Sequence, residues 1–410
     1  MNYKLGLTKR AFWGIMRPFI KTWMRLLMDP TINNSLPSEL KPPYLLISNH
    51  TNVYDGLIVS LYSPQLPVPV FDDIQKQNTF LKLLFTYTGV AFKTYGVPDP
   101  KSIRSMINAK DAGRIIMLYP EGEITWTGET KPLESNVSRL IKLLKIPVVL
   151  VKAKGAYAKQ PKWAVPFRKG KCIFDFKLIM SSEDVITLEE GVILDKLQAE
   201  FRHDDMKWLK TPEAKSCTLS TNQPAKGLER WLFCCPSCNG TNCMNTDDSA
   251  TISCSYCGYA VGIDSYLNVV SREVEPVFSD LQEWGRWQKT FWAKKIIEAA
   301  ASSDGTDVIL KAKCTSFKKL SVEGKRELSF KQCEVLLKKS SIEVIVKQEP
   351  ALALDLSEIL VCHCYKFVPG HADSLLIRTK GAYHILDFPE PNSPSLPWEF
   401  AVAALRQIKQ

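Results

Sequence analysis

The chain has 410 residues, of which 45% are hydrophobic and 23% are charged, and its formal net charge is +10. This length corresponds to about two to three domains, and the composition excludes a disordered, collagen-like or small disulfide-stapled protein. The positive excess suits nucleic acid, anionic lipid or a phosphorylated substrate equally well, so charge alone does not choose between these partners.

The first predicted element is an amphipathic helix over residues 9–28, within a membrane-associating segment 1–30. On a helical wheel four of its five cations fall within about 80° of one another, and most apolar residues cover the opposite half. These four cations are Arg10, Arg17, Lys21 and Arg25. A broad aromatic face with a cationic rim is typical of a helix lying in a membrane interface. A helix that packs its apolar face into the core would give the same pattern, so both interpretations stay open.

Neither a membrane-spanning helix nor a secretory signal is predicted. The longest uncharged apolar stretch, residues 56–71, contains three prolines and is shorter than the roughly 20 residues that a spanning helix needs. The N-terminal residues lack the apolar block of a signal peptide. Twelve cysteines without an export signal indicate a reducing, cytoplasmic environment in which cysteines bind metal or are buried.

Short apolar runs alternate with helix-compatible stretches between Tyr44 and about Phe176. The runs YLLIS (44–48), RIIMLYP (114–120), IPVVLVKA (146–153) and KCIFDFKLI (171–179) predict strands. Strands that alternate with helices indicate an α/β domain with a mostly parallel sheet, which we assign to residues 31–226. In such sheets the chemistry lies at the C-terminal ends of the strands.

The first candidate site follows the first of these strands. His50 comes just after the strand, and Asp55 follows five residues later. A helix starting in between would turn the carboxylate back toward the imidazole. A carboxylate that binds one ring nitrogen leaves the other free to accept a proton, so this is a candidate general base with its support. An Asn-His turn followed by an aspartate helix cap would look the same.

Three motifs resemble those of the glycerolipid acyltransferases, the lysophosphatidic acid acyltransferase family. NHTNVYD fits the family's His-x4-Asp motif, Tyr119–Gly122 resembles its Phe-Pro-Glu-Gly motif, and Ile146–Val149 is similar to its Val-Pro-Val-Ile-Pro strand. The resemblance covers about residues 40–180. It implies that His50 removes the proton of a glycerol hydroxyl while Asp55 supports it. The freed oxygen then attacks the thioester of acyl-CoA or acyl-carrier protein, which is the co-substrate.

The resemblance also implies that Glu121 and Gly122 help bind the acceptor, a lysophospholipid or related glycerolipid. Where the family has an arginine after Glu-Gly-Thr, this chain has Ile124, and Lys93 and Lys154 are the nearest candidate cations for a phosphate. A lysine binds phosphate as a point charge, without the bidentate fork of arginine. Lys93 as a solvated surface lysine is an equal alternative, so the acceptor stays open.

The second candidate site consists of two Cys-x2-Cys knuckles, Cys235–Cys238 and Cys254–Cys257, separated by fifteen residues. Four thiolates at this spacing are typical of a zinc ribbon with one structural Zn ion, which we assign to residues 227–262. Cys234 and Cys243 lie nearby without a partner at knuckle spacing. The loop between the knuckles is not basic, so a structural role is favoured over binding of nucleic acid or a carrier protein. Reduced cysteines in a small core are the alternative.

The rest of the chain predicts a helical connector over residues 263–301 and a β-rich domain over 308–410 that ends in one helix. The connector carries an aromatic stripe, for which packing is favoured over a lipid cage. Many short strands followed by a helix indicate a small barrel or sandwich, and this region resembles a pleckstrin-homology-like fold.

The sequence therefore predicts a transferase of lipid metabolism and phospholipid biosynthesis, 1-acylglycerol-3-phosphate O-acyltransferase-like. It would act peripherally on the cytosolic face of the membrane, and no nucleic acid partner is expected. Two alternatives are a catalytically inactive adaptor that binds lipid or a partner through this fold, and an acyltransferase for a non-phospholipid acceptor.

Overall fold

The computed structural model describes most of the chain, in two compact units. The first unit takes in the chain up to Thr221, apart from short segments, and the second runs from Asn222 onward together with Trp163–Pro166. The described residues are 6–77, 89–93, 99–272, 274–303, 305, 307–322, 325–365, 374–389 and 395–408.

The first unit is built on a seven-stranded mixed sheet. In spatial order the strands are β1-β7-β6-β2-β5-β3-β4, and every pairing is parallel except that of β6 with β7. The strands are β1 (Pro30–Asn34), β2 (Leu45–Ser48), β3 (Val68–Asp72), β4 (Ala91–Lys93), β5 (Ile116–Leu118), β6 (Val148–Lys154) and β7 (Cys172–Met180). The prediction of an α/β domain with a mostly parallel sheet is confirmed.

Helices cover both faces of this sheet. They are α1 (Leu7–Met28), α2 (Asp55–Tyr62), α3 (Pro100–Asp111), α4 (Ser135–Leu144), α5 (Ala156–Lys159), α6 (Ser182–Thr187), α7 (Glu190–Phe201), α8 (Asp205–Trp208) and α9 (Pro212–Lys215), with a 3₁₀ helix at Asp73–Gln77. Successive strand residues point to opposite faces, so Leu45 and Ile47 join a core under α3, α4 and α7, whereas Leu46 joins a core under α1 and α2.

Helix α1 has two apolar sides with different environments. Met24 and Met28 are buried, and Trp13 and Ile20 pack partly against the core under α1 and α2. A second stripe is exposed to between 50% and 83% and falls within about 80° of the helical wheel. It consists of Phe12, Ile15, Phe19, Trp23 and Leu26. Core packing is therefore observed for one side of the helix, and membrane contact of the exposed side stays a prediction.

None of the described helices is long and apolar enough to cross a bilayer.

The second unit begins with a small antiparallel sheet in the order β11-β10-β9-β8. Its strands are β8 (Met244–Asn245), β9 (Thr251–Cys254), β10 (Ala260–Ile263) and β11 (Val269–Val270), preceded by a 3₁₀ helix at Leu228–Arg230. The long helix α10 (Leu281–Ser302) follows, and the tryptophans of its stripe at positions 284 and 292 are buried. Packing is thus the observed role of these two rings.

The second unit ends in a seven-stranded antiparallel sheet and one helix, as the strand pattern predicts. The spatial order is β15-β14-β13-β12-β18-β17-β16. The elements are β12 (Leu310–Ser321), β13 (Arg326–Leu337), β14 (Ser341–Val346), β15 (Glu349–Asp355), a 3₁₀ helix at Leu356–Glu358, β16 (Ile359–Tyr365), β17 (Ser374–Thr379), β18 (Ala382–Asp387) and α11 (Ser395–Ile408). Helix α11 packs on β16, β17 and α10, and the Trp292 indole donates to the Pro397 carbonyl at 2.8 Å.

Candidate functional site

The candidate active site is at the C-terminal end of β2, where the buried strand passes into the loop that carries His50. The Asn49 side chain bonds the end of β2 to the neighbouring strand β6. Its side-chain amide donates to the Ala153 carbonyl at 2.9 Å and accepts from the Ala153 amide at 2.8 Å. The backbone before His50 is therefore fixed to the middle of the sheet.

His50 and Asp55 are brought together as the sequence predicts. His50 Nδ1 lies 3.3 Å from Asp55 Oδ2, and the His50 side chain is 23% exposed whereas that of Asp55 is fully buried. With Nδ1 directed at the carboxylate, Nε2 is the ring nitrogen that remains for a substrate proton. The Tyr119 ring packs on the imidazole with centroids 4.5 Å apart, which limits the orientations open to the imidazole.

The Asp55 carboxylate is held by the loop that precedes it. Oδ2 accepts from the Thr51 amide at 2.6 Å and the Asn52 amide at 2.7 Å. Asp55 is the first residue of α2, yet its side chain reaches back to this loop, and no side chain of the N-cap residue bonds to the first turn of the helix. The alternative of a simple aspartate helix cap is therefore wrong. Two backbone amides and the His50 ring thus hold this buried carboxylate in place.

Glu121 supports His50 from the other side. One carboxylate oxygen accepts from the His50 backbone amide at 3.0 Å, and the other accepts from the Lys131 amide at 3.2 Å. Burial raises the pKa of Glu121 to about 7, although these two hydrogen bonds oppose the shift. Gly122, at φ 75°, makes the turn that directs Glu121 inward. Glu121 thus positions His50, and acceptor binding by Glu121 and Gly122 stays a prediction.

Comparisons with known proteins bear on this region. Residues 30–153 match the family model described as Acyltransferase. This segment belongs to the acyltransferase family. The family resemblance predicted from the three motifs is thereby confirmed.

Solved structures give similarities at low identity. The crystal structure of the 1-acyl-sn-glycerophosphate (LPA) acyltransferase PlsC from Thermotoga maritima is 15% identical, with a TM-score of 0.39, over 47% of this chain and 78% of that chain. The Vps36 N-terminal PH domain is 15% identical, with a TM-score of 0.20, over 26% of this chain and 90% of that chain. The linker-DH/PH domains of p115-RhoGEF are 11% identical, with a TM-score of 0.16, over 31% of this chain and 44% of that chain.

The two lysines predicted to bind phosphate lie in different parts of the first unit. Lys93 ends β4, in register with Asp72. Since β4 is three strands from β2, Lys93 is about 14 Å from the His50 strand across the sheet. Lys154 ends the adjacent strand β6, but its ammonium is 2.7 Å from Asp175 and 3.2 Å from Glu213. Burial would lower the pKa of Lys154, and these carboxylates raise it overall.

Two other lysines lie beside the Glu121 loop and were not predicted. The Lys131 ammonium contacts the Glu123 carboxylate. The Lys162 ammonium is 3.8 Å from the same carboxylate and 4.6 Å from the centroid of the Trp126 ring. Two cations and the Glu123 carboxylate thus lie beside the Glu121 loop in the first unit. Only Lys131 is close to the motif in sequence, so spacing alone could not identify the pair.

A second His–Asp pair was also missed. His203 Nε2 lies 2.6 Å from Asp205 Oδ1, and both side chains are buried. Asp205 also accepts from the Gly155 and Tyr157 amides at 2.9 and 3.1 Å, which fixes the first turn of α5. The two residues are only two positions apart, and this short spacing is the signal that could have found them.

The four knuckle cysteines converge at one point. The ligand sulfurs of Cys235, Cys238, Cys254 and Cys257 all lie within 4.8 Å of one another. The Sγ–Sγ separation is 3.7 Å between the first and last and 3.8 Å between the middle two. Four sulfurs about 2.3 Å from a central zinc ion would be about 3.8 Å apart in a tetrahedron. These cysteines could therefore bind a metal ion, as predicted.

Helix α10 supports the first knuckle. The buried Gln288 side chain accepts from the Phe233 and Cys234 amides at 2.7 and 2.8 Å and donates to the Trp231 carbonyl at 2.8 Å. The Trp284 indole donates to the Cys234 carbonyl at 2.9 Å. Cys243 is also close, with its sulfur 3.4 Å from that of Cys254. The knuckle backbone is thus fixed by side chains outside the metal-ligand set.

Proposed function

We propose that the chain is an O-acyltransferase that moves a fatty acyl group from an acyl thioester to the hydroxyl of a lysophospholipid or related glycerolipid. The observation that carries this proposal is the His50–Asp55 pair, a partly exposed imidazole on a buried carboxylate, within a segment of the acyltransferase family. Acyl-CoA or acyl-carrier protein serves as donor.

The proposed mechanism needs no covalent enzyme intermediate. His50 Nε2 takes the proton of the acceptor hydroxyl as the oxygen attacks the thioester carbonyl carbon. The tetrahedral intermediate then collapses, and the C–S bond breaks. The leaving sulfur takes the proton from the imidazolium, so that a free thiol and an ester are formed. Asp55 stabilises the imidazolium and holds its ring, while Glu121 holds the His50 backbone.

An anionic acceptor is supported by the charge around this site. The whole excess of +10 lies in residues 1–221, whereas residues 222–410 are electrically balanced. Next to Glu121, Lys131 and Lys162 supply two positive charges against the single carboxylate of Glu123. We therefore favour a phosphate-bearing acceptor, with Lys131 and Lys162 added to the cations that the sequence suggested.

A donor and acceptor panel tests this proposal. Purified protein is offered acyl-CoA and acyl-carrier protein, each with lysophosphatidic acid or with an uncharged monoacylglycerol of the same chain length. We expect acylation of the phosphate-bearing acceptor to be at least about tenfold faster, because one hydrogen bond to a charged group contributes about 1.5–3 kcal/mol. Faster acylation of the uncharged acceptor would favour the non-phospholipid alternative. No product from either donor would favour the inactive adaptor.

We also propose that the exposed stripe of α1 rests on the cytosolic face of a membrane. This would make the enzyme peripheral and bring the site to its lipid acceptor. The stripe presents five large apolar side chains to solvent, and the domain that carries it holds the whole positive excess. An apolar face on a basic domain matches an anionic lipid surface in both respects.

Vesicle binding provides a test of this surface. Replacing Phe12, Ile15, Phe19 and Leu26 by glutamine should lower partition onto anionic vesicles at least about 100-fold, since each half-exposed side chain contributes about 1 kcal/mol on burial. The matched control replaces exposed Ile186 and Val192 by glutamine and should change partition less than about threefold. Wild-type binding should weaken at high salt. If the fourfold stripe variant and the Ile186/Val192 control variant bind vesicles equally in a flotation assay, the proposal is contradicted.

For the second unit we propose a structural zinc ion and a pleckstrin-homology-like C-terminal domain. An all-sulfur donor set with separations of 3.7 and 3.8 Å supports tetrahedral zinc. The zinc would stabilise the fold of the knuckles and take no part in acyl transfer. The order of seven antiparallel strands followed by one helix supports the domain assignment.

A further inference from the structure

Helix α1 holds the C-terminal end of α2 through one arginine. Arg17 Nε donates to the Leu61 carbonyl at 2.8 Å, and Arg17 Nη2 donates to the Ser63 carbonyl at 2.9 Å. Carbonyls in the last turn of a helix have no partner within the helix, and a cation there also complements the helix dipole. Arg17 therefore acts as a side-chain cap for α2 that is supplied by another helix.

Two ring contacts extend this attachment to both ends of α2. The Lys21 ammonium lies 4.3 Å from the centroid of the Tyr62 ring at the C-terminal end. The Trp23 ring meets the Tyr54 ring edge-on at 6.0 Å, at the residue just before the helix starts. Of the four cations that the sequence assigned to a membrane rim, Arg17 and Lys21 thus turn toward α2.

His50 and Asp55 are held in place by different elements of the first unit. His50 is held by the sheet in two ways. The neighbouring Asn49 side chain bonds to Ala153 on β6, and Glu121 bonds to the His50 amide. Asp55 is the first residue of α2, an eight-residue helix about 12 Å long. The amides of the preceding loop fix its carboxylate locally, and Arg17 fixes the far end of the helix. The Nδ1–Oδ2 distance of 3.3 Å is at the long end of hydrogen bonding, so a small tilt of α2 would break it.

We infer that Arg17 is a positioning residue that couples contact of α1 with a lipid surface to the His50–Asp55 pair. This inference rests on the proposed function. Arg17 and Lys21 hold the C-terminal end of α2 from one side of α1, while Trp23 of the exposed apolar stripe contacts Tyr54 at the N-terminal end. A surface that immobilises α1 therefore also immobilises α2 and the carboxylate at its start. A lipid surface then raises the rate constant of the reaction itself, beyond concentrating the enzyme near its acceptor.

The test uses a soluble short-chain lysophospholipid, so that lipid binding does not limit the rate. Arg17→Leu is compared with Arg139→Leu, which removes the same charge from an arginine that is 71% exposed on α4. We expect Arg17→Leu to lower kcat at least about tenfold with little change in KM, and Arg139→Leu to leave both nearly unchanged. Adding acceptor-free anionic vesicles should raise wild-type kcat several-fold and leave that of Arg17→Leu unchanged.

Arg17→Lys is a second variant that tests the inference even if the leucine variant does not fold. It keeps the charge and the aliphatic stem but can satisfy only one of the two carbonyls at a time, so we expect kcat to fall about three- to tenfold. Equal kcat for folded Arg17→Leu and Arg139→Leu, unchanged kcat for Arg17→Lys, or no vesicle stimulation of the wild type would overturn the inference. Inactive wild-type protein would instead overturn the proposed function.

Discussion

Replacing His50 by alanine should lower kcat for acyl transfer by about 10²–10⁴-fold, the range expected for loss of a general base. The imidazole is the group that would receive the hydroxyl proton, and Asp55 is too deeply buried to replace it. Asp55→Asn should cost about 10²-fold. Its side-chain oxygen can still accept from the Thr51 and Asn52 amides, while the charge that stabilises the imidazolium is lost.

Both variants should fold like the wild type, because His50 is partly exposed and asparagine is nearly isosteric with aspartate. Thermal unfolding followed by circular dichroism checks this, and kcat is measured at saturating thioester. His363→Ala in β16 of the second unit is the matched histidine control and should keep full activity. A folded His50→Ala variant that retains more than a tenth of wild-type kcat would exclude the general-base role.

Removing the metal ion should unfold the ribbon while acyl transfer to a soluble acceptor persists. Structural zinc sites contribute about 10–16 kcal/mol of binding free energy to folding, and the four converging thiolates would repel one another without the ion. Freshly purified protein should contain one zinc ion per chain by elemental analysis. After chelation, hydrogen exchange should increase in residues 227–262 and in the Trp284–Gln288 part of α10, which bonds to the first knuckle.

Cys254→Ser should reproduce the effect of chelation, whereas Cys362→Ser, outside the cluster, should not. Metal content and exchange are measured on the same samples. Protein that is purified under reducing conditions without stoichiometric metal, or a Cys254→Ser variant with wild-type exchange in the ribbon, would exclude a structural metal centre.

The sequence predicts well those features that depend on short-range patterns. Alternating strands and helices give the mixed sheet, because short continuous apolar runs mark the buried strands between helix-compatible stretches. His50 and Asp55 meet because the four residues between them suffice to reverse the chain. The two cysteine knuckles converge for the same reason, since each brings two sulfurs together locally and one hairpin then joins the pairs.

Features that depend on tertiary packing could not be predicted. The helical wheel of α1 shows its cations on one side, but only the presence of α2 turns Arg17 inward and separates a packed apolar side from an exposed one. Lys162 reaches Glu123 from 39 positions away in sequence. Lys154 looked available for phosphate until its strand brought it next to Asp175 on β7.

The most direct test of the central claim is a single-turnover reaction with a labelled acyl thioester and a lysophospholipid, run in parallel with wild type and His50→Ala. Free thiol, acylated lipid and acyl-protein are quantified at each time point. We expect one ester for each thiol released by the wild type, no acyl-protein at any time, and neither product from His50→Ala. Acyl-protein that forms and decays ahead of the lipid ester, or equal ester formation by the two proteins, would contradict direct transfer by the His50–Asp55 pair.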